Sequence, residues 1–291
     1  MGDSGLAFIF QADSQHKPYN NRIHQLDMGW WPLDQWGIAH RLDFLGKVSG
    51  VRLRLITSPT DNDNTADPAG LYHQYLDAEV NNCLRTGPPA VAITSCPCVI
   101  FGHDDGIPPL LVQQPGQKEV DIRRTEHLPW AVILPEEPET PMDRHQADFE
   151  ALTYGLRLGR DEPDLSYLPG KSSGLKSWHL WIEQLEDPEL RGPHFYHTNV
   201  IGHLWLNRLS AAGYLRDMST RYRSPIKEAL NTGAFKYDSI VDILTQAFDG
   251  LEEALKTEKG TANRISLIRK AKSHEVEAQE QLAAIIEMMG S

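Results

Sequence analysis

Three cysteines and one histidine are the first residues able to do covalent chemistry. Cys96-Pro97-Cys98 lies just upstream of Gly102-His103-Asp104-Asp105-Gly106, and Cys83 precedes both. A thiolate beside an imidazole base is the equipment of acyl transfer and amide hydrolysis. Thiols with an imidazole are also the ligands of zinc, but C-x-C chelates less well than the C-x₂₋₄-C pairs of structural sites. The thiols therefore read as small apolar core residues, and His103 as an exposed residue of a Gly/Asp turn. The alternative makes Cys96 or Cys98 a nucleophile with His103 as its base. Asp61, Asp63 and Asp67 sit in a polar loop that lacks the Gly and Glu of a calcium-binding EF-hand. No metal and no cofactor is expected.

A second group of polar residues lies far downstream. Asn199, His203 and Asn207 recur at steps of four on an expected helix, and Arg208 adjoins them. On the last expected helix, Glu275 falls within an apolar stripe of Ile265, Ile268, Ala271, Ala278, Leu282, Ile285 and Met289. A carboxylate on a core-facing stripe requires a partner, and Arg208 or His203 is the candidate. One reading is a buried ion pair that fixes helix register. The other is a ligand pocket where two domains meet, formed by Trp178, His197, Asn199, His203, Arg208 and Glu275. Trp181 and Trp205 are further candidates for its lining, although tryptophans at helical spacing also make core.

The elements that would carry these residues change character near position 135. Before it, Ser4–Phe10, Val51–Thr57, Leu110–Val112 and Trp130–Leu134 read as strands, and Ala90–Phe101 as one long or two short buried strands. The alternation of VRLRLIT marks a half-buried strand, and Pro97 forces an edge, bulge or turn. Two helices interrupt them, one after Pro32 that stops at Gly46 and one over Ala69–Arg85. This order predicts an α+β fold with a mostly antiparallel sheet. The Pro/Glu run Pro135–Pro141 reads as a linker, giving domains 1–136 and 137–291. The second reads as all-helical, with helices near 142–159, 173–186, 198–222, 237–256 and 261–289.

Composition bounds the partners. Among 291 residues, 28 Lys plus Arg stand against 40 Asp plus Glu, a net charge of −12. Both halves are acidic, which argues against capture of nucleic acid or an anionic membrane surface. No stretch approaches the roughly 20 apolar residues of a membrane helix. The N-terminal text lacks the cationic start of a secretory signal, so a cytoplasmic protein with reduced thiols is expected. Oligomeric state is not legible.

One stretch of text is family-like. Thr86-Gly87-Pro88-Pro89-Ala90-Val91, then CVIFGHDDG (Cys98–Gly106) and LLVQQPG, resembles papain-like peptidases of the bacteriocin-leader-processing kind and acyltransferases related to the butirosin biosynthesis H protein. In those, a catalytic His opens the strand leading to a Gly-Tyr-Asp-Asp turn, and an Asp-Pro follows the next strand. SGLAF near the N-terminus and HLPWAVILPEEP fit the same family. Gly174, Trp178 and HTNVIGHLWLNRLSAAGYL (His197–Leu215) are similar to the helical domain that follows this fold in butirosin-H-like proteins.

The resemblance implies a papain-like N-terminal domain and a C-terminal helical domain. It also shows departures. Where the family has its nucleophilic Cys, this chain reads Met28-Gly29-Trp30-Trp31-Pro32-Leu33. Cys96 stands in place of the His, and Gln114-Pro115 in place of Asp-Pro. A thiolate, its base and an orienting group are all needed for nucleophilic catalysis. The expectation is therefore a non-catalytic or repurposed relative that binds a small molecule, acyl group or peptide in an inter-domain cleft, within a biosynthetic pathway. The alternative is a cysteine-dependent acyltransferase or amide hydrolase using Cys96 or Cys98 with His103.

Overall fold

Strand β2 (Val51–Thr57) shows how the sequence dictates its setting. Its arginines, Arg52 and Arg54, point to solvent, while Val51, Leu53 and Leu55 are half-buried, as period-2 alternation requires. The computed structural model describes residues 11–13, 38–57, 77–86, 90–93, 97–103, 110–113, 123–124, 131–160, 171–192 and 194–290. The strand expected over Ser4–Phe10, the start of the helix after Pro32, Cys96, Gln114-Pro115 and the Asp61–Asp67 loop lie outside these residues.

The described chain falls into two compact units, divided between Asp143 and Arg144. The first carries helix α1 (Ile38–Ser49), β2, helix α2 (Asp77–Thr86), and strands β3 (Val91–Ile93), β4 (Pro97–His103), β5 (Leu110–Gln113), β6 (Arg123–Arg124) and β7 (Ala131–Pro138). Its six strands form one sheet in the order β2-β7-β3-β4-β5-β6, every pair antiparallel. The Ala90–Phe101 text resolves into two strands that pair with each other, Ile93 opposite Pro97. The register slips between Ile100 and Gly102 against β5, a bulge that bends β4 before His103. Central β7 buries Val132 and Leu134 on one face. The Pro135–Pro141 segment is not all linker: through Pro138 it is strand, and Glu136 pairs with Arg52 and Arg54 across the ladder. α1 also runs past Gly46 to Ser49, and the chain reverses at Gly50 with φ of 73°.

The second unit contains β1 (Gln11–Asp13), α3 (Arg144–Gly159), β8 (Lys171–Ser173), α4 (Gly174–Glu186), α5 (His194–Ser219), α6 (Ile226–Phe248), α7 (Leu251–Leu255) and α8 (Glu258–Gly290). β1 and β8 form a two-stranded antiparallel ladder inside a helical region. Helix α5 packs on α6, α6 on α8, and α8 on α3 and α4. The core is the apolar faces of these helices, including Leu204 and Leu215 of α5, Tyr237 and Leu244 of α6, and Ile268, Leu282 and Ile285 of α8. The single helix expected over 237–256 starts earlier, at Ile226, and breaks at Gly250, whose left-handed φ of 63° ends α6 before α7 begins. Arg264 of α8 reaches back to the carbonyls of Gln246 and Asp249 and so satisfies the freed C-terminal acceptors of α6. No helix among the described residues is long and apolar enough to cross a membrane.

Candidate functional site

Arg208 and Glu275 meet in the core of the helical unit. Arg208 lies on the α5 face that carries Leu204, Ala211 and Leu215, and Glu275 on the α8 face that carries Ala271 and Ala278. The guanidinium donates through Nε to one carboxylate oxygen at 2.7 Å and through Nη2 to the other at 3.0 Å. Two parallel charge-assisted bonds match the planar fork of arginine to the carboxylate. Both side chains are sealed, Arg208 at 0% exposure and Glu275 at 2%. Tyr237 completes the group, with the guanidinium carbon 6.0 Å from its ring centre. Burial holds the Tyr237 phenol protonated far above the usual tyrosine range, and the Glu275 charge adds to that.

His197 lies eleven residues before Arg208 on the same face of α5, roughly 16 Å along the helix. It forms a separate centre. The Trp181 indole N–H donates to its Nδ1 at 3.1 Å, so the ring proton sits on Nε2 and is donated to the Arg191 carbonyl at 2.6 Å. Trp178 packs against Trp181 with ring centres 5.8 Å apart, and both indoles are buried. Burial lowers the His197 pKa to about 4. Protonation would also set a second N–H against the Trp181 donor.

The structure thus joins Arg208 to Glu275, keeps His197 with Trp181 and Trp178, and does not gather the expected residues into one constellation. Asn199 and His203 belong to α5, but their side chains lie outside the described residues. In the α5 register their positions fall roughly 140–180° around the helix from Arg208. Trp205 is on the outer side of α5, 36% exposed, its indole donating to Thr245 Oγ1 at 3.1 Å. Cys98 and His103 stand on β4 and Cys83 on α2, with their side chains outside the described residues. No group of three or more His, Cys, Asp or Glu side chains is gathered as metal ligands among the described residues.

A third polar centre is absent from the sequence reading. Asp148 of α3 is 1% exposed and is surrounded by donors. Tyr214 donates to its Oδ1 at 2.8 Å and Tyr222 to its Oδ2 at 3.2 Å. Arg221 bonds both oxygens, with Nη2 3.1 Å from each, and Arg144 stands 3.6 Å away. Asp217 takes the other side of Arg221, whose hydrogen bond lowers the Asp217 pKa. The signal for Asp148 is the one that marked Glu275. It sits one helical step from buried Ala151 and Leu152, a core position for a charge. Its partners, 66 to 74 residues downstream, carry no local mark.

No protein-family model matches this chain, and no curated protein matches it.

Proposed function

We propose that this chain is a non-catalytic, repurposed relative of the papain-like, butirosin-H-like proteins, one that binds a small molecule, acyl group or peptide in a biosynthetic pathway without transforming it. One observation carries the reading. The buried acids and bases of the helical unit are bonded to one another: Glu275 to Arg208, Asp148 to Arg221, Tyr214 and Tyr222, and His197 to Trp181 and the Arg191 carbonyl. A general base must offer a lone pair at a pKa near the working pH. His197 has its lone pair occupied and its pKa far below. The residues at the family's three catalytic places, Trp30-Trp31, Cys96 and Gln114, support the same reading.

The test uses the full chain and the N-acetylcysteamine thioester of octanoate as an acyl probe. Calorimetry is run on the protein and on a variant with Cys83→Ala, Cys96→Ala and Cys98→Ala. The expected result is equal binding to both, with the thioester recovered intact. Release of N-acetylcysteamine above the buffer rate, abolished by Cys96→Ala or Cys98→Ala, overturns the reading in favour of a cysteine-dependent acyltransferase or hydrolase.

A further inference from the structure

The helical unit takes one of its strands from the opposite side of the sheet unit in sequence. β1 pairs with β8 in a fixed register, Gln11 opposite Ser173, Ala12 opposite Ser172 and Asp13 opposite Lys171. It also packs on α4. β8 runs without a break into α4, from Ser173 to Gly174. Gly174 has a φ of 54° and lies so close to the Gly159 carbonyl, at the end of α3, that a Cβ there would collide with it. Against Gly159 lies the side chain of Gln279 from α8. β1, β8, Gly174, Gly159 and Gln279 thus form one continuous line of contact.

Gln279 is the costly member of that line. It is 6% exposed, and its Nε2 is sealed from solvent with no hydrogen-bond partner among the described residues. A buried donor left unsatisfied costs free energy that the same donor in water does not. The ladder that shuts the junction is short, two strands of three residues, and such a ladder is marginal by itself. The polar centres that tie the rest of the unit together are made without β1 or β8. They are Arg208 with Glu275, and Asp148 with Arg221, Tyr214 and Tyr222.

We infer that β1 is a releasable strap. Paired with β8, it holds the junction between α3 and α4 shut over the Gln279 amide. Released, it frees β8 and the first turn of α4, and water reaches Gln279 Nε2, while α5, α6 and α8 stay folded. The unsatisfied donor favours release and the ladder opposes it, so the junction is balanced rather than locked. The device is made from chain on both sides of residues 30–143, so the helical unit is complete only when those two segments have come together.

Hydrogen exchange of the full chain, read by mass spectrometry of its peptides, tests this in a background with Cys83, Cys96 and Cys98 replaced by Ala. Ala12→Cys with Ser172→Cys is expected to close an intramolecular disulfide on mild oxidation, because directly opposed Cα atoms stand about 4.5–5.5 Å apart. Ala12→Cys with Ser173→Cys is expected to stay reduced, since successive positions point to opposite faces. Amides over residues 171–177 are expected to exchange about tenfold slower or more in the disulfide form than in the reduced form, with those over 230–244 unchanged. Gln279→Met, which removes the donor and keeps the length of the side chain, is expected to slow the same amides about fivefold or more. Failure of the first pair to crosslink, or crosslinking of both pairs, overturns the placement of the strap. Equal exchange over 171–177 and 230–244 in the reduced protein overturns its release, as does exchange over 171–177 that the disulfide or Gln279→Met leaves unchanged.

Discussion

Arg208 and Glu275 stand 67 residues apart in the chain and meet through two bonds of 2.7 and 3.0 Å with almost no exposure to solvent. Two charges taken out of water in this way compensate each other through these paired bonds. Removing either one takes that compensation from a buried partner. Glu275→Ala is therefore expected to cost ~3–5 kcal/mol in urea denaturation. Replacing both partners by apolar residues, Arg208→Met with Glu275→Leu, is expected to cost much less than the sum of the single changes. Additive single and double variants would contradict a mutually dependent pair.

His197 makes stability depend on pH in a definite direction. Its pKa is 6.5 when unfolded and about 4 when folded, so between those values the unfolded chain binds the extra proton. The contribution is complete above pH 6.5 and is lost as pH falls towards 4, up to about 3 kcal/mol. Chemical denaturation at a series of pH values is expected to show this loss in the parent protein. His197→Gln, which removes the titrating ring, is expected to be less stable at pH 7 and to lose less on acidification. Parallel pH profiles for the two proteins would count against the assignment.

The Asp148 cluster ties the start of α3 to the end of α5 and the residues just beyond it. Asp148→Ala removes the carboxylate that accepts from Tyr214, Tyr222 and one side of Arg221, and is expected to cost about 3 kcal/mol. Tyr214→Phe removes one donor and leaves the carboxylate held by Arg221 and Tyr222, with an expected cost of ~1 kcal/mol. A Tyr214→Phe cost equal to that of Asp148→Ala in thermal denaturation would mean that the phenol, not the carboxylate, organises the cluster.

Gly174 admits no side chain. Its φ of 54° is left-handed, and a Cβ there would stand 2.0 Å from the Gly159 carbonyl oxygen. Gly159 is itself confined, because a Cβ on it would come within 2.6 Å of the Gln279 amide. Gly174→Ala must shift the junction between the end of α3 and the start of α4, and is expected to lower stability by ~2–4 kcal/mol. A melting temperature within 1–2 °C of the parent, roughly below 0.5 kcal/mol, would sink this account of the junction.

What the sequence revealed follows from the range of the signals. The α8 stripe from Ile265 to Met289 is buried as its spacing required, and Glu275 was marked because it interrupts that stripe with a charge. The strand alternation of Val51–Thr57 is equally local. Asp148 interrupts the α3 face in the same manner, but a short face rich in Ala and Gly gives a weaker stripe against which to notice it. Strands β1 and β8 have three residues each, too few for period 2 to register, and they pair across the whole length of the first unit. Which of His203 and Arg208 takes Glu275 depends on a rotation of α5 set by its packing on α6, which no spacing within α5 encodes.

The proposed function requires binding without a working thiol. Alkylation of the native protein by iodoacetamide, followed by intact mass from pH about 6 to 9 and mapped to each cysteine, tests it most directly. Cys83, Cys96 and Cys98 are all expected to react at or below the rate of an ordinary thiol, rising with pH as a free thiol does. A cysteine that alkylates rapidly below pH about 7, with Cys96 or Cys98 as the labelled residue and the fast phase lost on His103→Ala, would contradict it.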